Sequence, residues 1–150
     1  MGNRGFTLLE TLVVISILVV LLMMTVFMTM DSFHGYSSRS QRDEVVMLLQ
    51  RARSHAQNNI YQTKWGVCAD LAAQQYVLFE GSYVASAARN EYTSMSLGVT
   101  VVSLPPTFLC TSGGQIFTQL SATTSNTAIV LTQTGRTATI SINNEGAINW

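Results

Sequence analysis

Glu10, His34, His55, Cys68, Cys110 and Arg136 are the residues of this 150-residue chain whose types and spacing could do chemistry. A structural metal centre needs about four converging ligands, and two distant cysteines without a histidine cluster fall short of that set. No metal and no cofactor are expected. Nucleophilic catalysis needs a base beside its nucleophile. His34 and His55 are isolated residues in helical or near-helical sequence, and spacing alone assembles no nucleophile–base site around either. A non-enzymatic protein is therefore expected, with His55 on a helix surface. Glu10 is different, because it stands inside an apolar run. An ionised carboxylate there costs roughly 2.5 to 3.5 kcal/mol on insertion scales, so it calls for a cationic partner.

The element that positions Glu10 is apolar. Residues 11–30 contain no charge, proline or glycine. At ~1.5 Å per residue they make about 30 Å of helix, enough to cross a bilayer core. A secretory signal would have a shorter apolar core of ~7 to 15 residues followed by a small-residue cleavage site, and neither is present. The anchor is expected to be retained. Arg4 precedes it while Arg39 and Arg42 follow it, so positive charge alone does not set its orientation.

Gly5, Phe6, Thr7, Leu8, Leu9 and Glu10 follow a short polar leader carrying Arg4. This junction resembles the class III signal of type IV prepilins and pseudopilins. The resemblance implies that a prepilin peptidase cuts between Gly5 and Phe6 and that the new Phe6 amine is N-methylated. It also implies that Glu10 engages the N-terminal amine of a neighbouring subunit during assembly. Methylation leaves that amine cationic, so the pair would neutralise both charges. The alternative is a Glu10 resting at the headgroups of an ordinary signal anchor. By the same resemblance the N-terminus lies inside, and the head lies in the periplasm or outside the cell.

Beyond the anchor about 120 residues remain, the size of one modest domain. Net charge is zero and only 11% of residues are charged. That balance excludes a bulk electrostatic nucleic-acid binder, though not a local basic patch. Residues 31–40 are polar, and Gly35, Ser37 and Ser38 weaken helix propensity there, which predicts a bend or soft point. Val45, Leu48, Leu49, Ala52, Ala56 and Ile60 then recur at helical spacing, one face that should hold a sheet. Arg42, Gln50, Arg53 and Gln57 occupy much of the remaining surface, and Asn58 with Asn59 makes the stop. A helix running from Phe6 to about Asn59 would measure roughly 80 Å.

Strand vocabulary begins at Lys64. Runs at 64–69, 75–80, 99–104, 115–118, 128–132 and 138–143 are β-branched and aromatic, separated by polar or glycine-bearing turns. Hairpins are expected at Thr134, Gly135 and Arg136, and again at 143–146. Residues 81–96 read as a variable loop with one edge strand at most. The fold class is α+β: a long N-terminal helix packed on a small antiparallel sheet, the pilin fold. The expected division is a cleaved leader at 1–5, a membrane and filament-core helix at 6–30, an amphipathic second half at 31–60, and a β-rich head at 61–150.

Residues 45–56, VVMLLQRARSHA, and the C-terminal runs QIFTQ, AIVL, GRTATISI and EGAI resemble the pseudopilin H and FimT-type minor pilin family. The middle of the chain, about 70–112, is outside that resemblance. Major pilins of this kind often carry a proline in the membrane helix, and this segment has none, which disfavours a major subunit. The implied partners are other pilins or pseudopilins, the prepilin peptidase, the assembly platform of the cytoplasmic membrane, and lipid. Cys68 and Cys110 form an even pair outside that membrane, where a disulfide is expected, worth roughly 4 kcal/mol by loop-closure entropy. Two buried free thiols are the alternative.

FimT-type pilins of some transformable bacteria are implicated in DNA uptake through a Gly-Arg-x-Arg motif. Gly135 and Arg136 match its first half, and Ala138 stands where the second arginine would be. Lys64 and Arg89 are further candidate contacts. One arginine supplies one phosphate contact, so weak or no duplex binding is expected, with Arg136 an ordinary solvated hairpin residue. The main reading is a minor pilin or pseudopilin. A type II secretion pseudopilin is the runner-up, followed by a DNA-binding competence pilin.

Overall fold

The computed structural model describes residues 7–133 and 135–150, with backbone alone for 26–36. The chain divides into two compact units, Met1–Tyr36 and Ser37–Trp150. Helix α1, Leu8–Gln57, contributes to both. The backbone stays helical through Gly35, Ser37 and Ser38, so the helix assignment carries no break within 31–40.

In the first unit, Leu8–Thr25 is a window of mean hydropathy 2.6 with none of it buried. Among the described residues it is the one helix long and apolar enough to cross a membrane. Its hydroxyls are satisfied within the helix. Thr11 Oγ1 donates to the Leu8 carbonyl at 2.9 Å, Ser16 Oγ to Val13 at 2.7 Å, and Thr25 Oγ1 to Leu22 at 2.8 Å. In hydrocarbon, where no water can serve them, such internal bonds let the segment carry polar side chains.

In the second unit, α1 buries Val45, Leu48, Leu49, Ala52 and Ala56, the stripe its spacing predicts, together with Val46. Ile60 packs partly buried in a 3-10 turn beyond the helix. The strands are β1 Trp65–Asp70, β2 Gln75–Glu80, β3 Glu91–Ser94, β4 Thr100–Leu104, β5 Gln115–Phe117, β6 Thr127–Gln133, β7 Arg136–Ile142 and β8 Ile148–Asn149. β3 is the edge strand within 81–96. The strands fall into two four-stranded antiparallel sheets, ordered β3-β2-β1-β5 and β4-β6-β7-β8. Sequence periodicity locates strands and does not assign them to sheets, so this division was not legible in it.

The two sheets bury different numbers of faces. β6 alternates strictly, with Thr127, Ile129, Leu131 and Gln133 inward, which is the pattern of a sheet with one covered face. β1 and β2 are buried almost throughout. Trp65, Val67, Ala69, Tyr76 and Leu78 join the core shared with α1 and the second sheet. Cys68, Val77 and Phe79 point to the opposite face and form a smaller cluster with Cys110, beside Tyr83 and Ile116. Glycine makes room for that cluster. A Cβ on Gly66 would stand 2.5 Å from Phe79 Cζ, and one on Gly114 would stand 2.7 Å from Phe79 Cε1.

Candidate assembly segment and head surfaces

Gly5 and Phe6 lie outside the described residues, as does Thr134 of the β6–β7 hairpin. The described part of the N-terminal segment begins with Thr7, which caps the helix. Glu10 N–H donates to Thr7 Oγ1 at 3.3 Å, and Thr11 N–H to the Thr7 carbonyl at 3.2 Å. Thr7-x-x-Glu10 is the spacing of a capping box. The cap starts the helix immediately after Phe6, and Glu10 stands exposed in the first turn. There the positive end of the helix dipole favours a carboxylate by a few tenths to about 1 kcal/mol. An exposed acid at the start of an exposed apolar helix is chemically fit to receive a cation from another chain.

Cys68 on β1 and Cys110 in the 3-10 turn at Cys110–Ser112 form a disulfide. It pins the connection between β4 and β5 to the centre of the first sheet. That connection also adds an isolated bridge between Ala69 and Leu109, and Ala69 N–H donates to the Phe108 carbonyl at 2.9 Å. A pocket of about 350 Å³ lies beside the bridge, bounded by Asp70, Leu71, Tyr83, Leu109 and Cys110. Burial, together with Asp70 and Tyr92, raises the Tyr83 hydroxyl above its usual titration range.

His55 is not a plain surface residue. It is half-buried, with its ring edge-on to Trp65 at 4.6 Å, and its Nδ1 is buried without a hydrogen-bond partner. Burial, and then Arg51, lower its pKa from 6.5, while Glu91 opposes them. The periodicity that placed His55 beside the stripe could not show that Trp65, ten residues on, would cover it. Arg51 pairs with Glu91 at 2.7 Å, and both line a groove with His55 and Trp65. Asn59, Tyr61 and Gln62 adopt left-handed backbone there.

Of the candidate nucleic-acid contacts, Lys64 and Arg89 both border the end of β2, where the Lys64 carbonyl accepts from Gly81 N–H at 2.8 Å, while Arg136 lies in the other sheet. Arg89 pairs with Glu80 at 2.7 Å and lies over the Tyr61 ring at 4.2 Å. Its neighbouring carboxylate holds its pKa up. Lys64 precedes β1 in the first sheet, whereas Arg136 opens β7 in the second, exposed and opposite Gln133. Among the described residues no group of three or more His, Cys, Asp or Glu stands together to hold a metal ion.

Residues that sequence reading did not single out organise the head. Gln115, fully buried, bonds through its amide to Thr124, Ser125, Thr107 and Thr127. Gln41 and Gln133 are buried as well, holding Ser96 and Leu97. A glutamine inside an apolar pattern was the available signal, since a buried amide survives only with its hydrogen bonds made.

Residues 1–26 match the family described as the prokaryotic N-terminal methylation motif. No match emerges among curated proteins. In fold the chain is similar to the minor pseudopilin EpsH from the type 2 secretion system of Vibrio cholerae. The TM-score is 0.52 at 9% identity, covering 75% of this chain and 94% of that one. The chain thus carries the prokaryotic N-terminal methylation motif of type IV prepilin-like proteins and a pseudopilin-like α+β fold.

Proposed function

We propose that the protein is a minor pilin or pseudopilin, a non-enzymatic subunit held in the cytoplasmic membrane by residues 6–30 until it enters or primes a type IV pilus-like filament. A prepilin peptidase removes residues 1–5, and the Phe6 amine is methylated. Glu10 then receives that amine from a neighbouring subunit. One observation carries the reading: a methylation motif at residues 1–26 leads into a helix whose later turns form the core of a pseudopilin-like head. A subunit of this kind needs an apolar helix with an acid at its start and a head that folds on the distal half, and the chain has both.

A type II secretion pseudopilin is the second reading, favoured by the likeness to EpsH, which belongs to such a system. DNA binding through Arg136 ranks lower, because Arg136 and Lys64 belong to different sheets and Arg89 is committed to Glu80.

Mass spectrometry of sheared filaments and of the membrane fraction tests the proposal. N-methyl-Phe6 at trace level in filaments dominated by another pilin is the expected result. Processed protein confined to the membrane fraction moves the assignment to the secretion pseudopilin. An intact 1–5 leader overturns the prepilin reading.

A further inference from the structure

Two ends of the head carry matching features, and β1 runs between them. Phe117, the last residue of β5, pairs with Trp65 at the start of β1, so the loop that follows Phe117 stands at that end. The pocket beside the disulfide stands at Asp70, the other end of the strand, about 17 Å away along it.

At the Trp65 end, loop 118–123 holds Leu120 outward. Leu120 is 64% exposed with a φ of 66°, a left-handed backbone that a bulky residue rarely adopts. Hydrogen bonds around it keep it there. Its N–H donates to the Ala56 carbonyl near the end of α1 at 2.8 Å, while Ala122 N–H donates to the Thr118 carbonyl and Thr118 N–H to the Thr123 carbonyl, both at 2.9 Å. Strain maintained in this way displays the leucine in one fixed position, so little ordering is left to lose on binding. Arg53 lies beside the same loop, since a Cβ on Gly146 would press on the Ala122 carbonyl and stand 3.5 Å from Arg53 Nε. That Nε is buried without a hydrogen-bond partner, and Arg53 enters no ion pair among the described residues, with neighbouring Glu145 or any other acid.

At the Asp70 end, the pocket of about 350 Å³ has apolar walls in Leu71, Ala72, Leu109 and the Tyr83 ring. Asp70 is the one charged residue lining it. Its Oδ1 accepts the Ala72 and Ala73 N–H groups at 3.1 Å, and its carboxylate enters no ion pair among the described residues. One end thus presents a fixed apolar knob beside an unpaired cation, and the other an apolar socket beside an unpaired anion.

This charge complementarity selects a second copy of the chain as the occupant. We infer that Leu120 of one head seats in the pocket beside Cys110 of another copy, while Arg53 pairs with that copy's Asp70. Knob and socket lie at opposite ends of one head, so the contact is heterologous and each added copy offers a free knob and a free socket. A single leucine and one ion pair cover little area, which makes the contact transient in solution and calls for a covalent trap. The inference goes beyond the filament role proposed above, which does not say what the head touches.

The trap is the full chain carrying Arg53→Lys, in detergent, treated with a water-soluble carbodiimide that joins a lysine amine to a carboxylate it touches. Lys64 is the chain's one natural lysine, so few other links can form. Mixing heavy-nitrogen-labelled with unlabelled chain marks the links made between copies. The expected product is a peptide joining position 53 to Asp70 with one labelled and one unlabelled half, within a ladder of dimers, trimers and larger species on a denaturing gel. Leu120→Asn keeps a residue that tolerates left-handed backbone and should lower the yield of that peptide roughly tenfold, as loss of a buried leucine requires. Absence of a mixed-label link to Asp70 overturns the contact, and so does a yield indifferent to Leu120→Asn. A ladder that stops at the dimer overturns its head-to-tail form. Leader removal and filament entry are read separately by mass spectrometry, so either reading can fail alone.

Discussion

The Thr127 hydroxyl donates to Gln115 Oε1 at 2.8 Å, a buried hydrogen bond that ties the first residue of β5 in one sheet to the first residue of β6 in the other. Gln115 Nε2 donates to Thr124 Oγ1 at 2.6 Å and to the Ser125 carbonyl at 2.9 Å. Thr107 Oγ1 supplies a second donor to Oε1 at 3.3 Å. The amide has two donors and one oxygen with two lone pairs, and all are used. Gln115→Leu would leave several buried polar partners unmet. Urea unfolding of the full chain in detergent should show a loss of about 2 to 3 kcal/mol.

The slot for Phe79 is equally intolerant. In Gly66→Ala the new Cβ would meet the Phe79 ring at 2.5 Å and the Gln115 backbone oxygen at 2.9 Å, and neither side can give way cheaply. Overpacking of this kind typically costs about 1 to 3 kcal/mol. Thermal unfolding should show the drop. Gly113→Ala, where a Cβ meets nothing within 4 Å, carries only the strain of its φ of +95° and should lose less.

Loss of the disulfide should weaken the head without erasing it. Cys68 and Cys110 are 42 residues apart, which sets a loop-closure contribution of about 4 kcal/mol. A Cys68→Ser, Cys110→Ser double variant should retain far-UV circular dichroism at low temperature and unfold at a much lower urea midpoint.

His55 gives the head an acid-sensitive side. Its pKa is lowered in the folded state from 6.5, first by burial and then by Arg51. The unfolded chain therefore binds the proton more readily. The stability associated with neutral His55 is present above 6.5 and is lost as pH falls from there through the folded value. Denaturant midpoints measured from neutral to mildly acidic pH should decline over that window, and His55→Gln should flatten the decline.

Glu10→Gln separates insertion from assembly. The Thr7 cap uses the backbone N–H of residue 10 rather than its carboxylate, so the helix start survives the change. Membrane insertion should be unchanged. Incorporation into filaments should fall roughly tenfold or more, the size of a lost charge-assisted hydrogen bond. Equal incorporation of both forms would remove Glu10 from the assembly step.

What the sequence alone determined is local and periodic. The apolar run beginning at Thr11, the stripe from Val45 to Ala56 and the strands at 65–70 and 75–80 all follow from spacing that a helix or a strand must display whatever surrounds it. Tertiary structure alone decided the rest. Residue spacing does not encode which strands share a sheet, so neither the two-sheet division nor the second buried face of β1 and β2 was visible. Gln115 counted as one more polar residue until Thr107, Thr124 and Thr127 surrounded it. His55 passed for surface until Trp65 covered it, and Leu97 was a loop residue until its carbonyl met the buried Gln133 amide. Each of these depends on contacts between residues distant in the chain, which come together when the hydrophobic core closes and leave no period in the sequence.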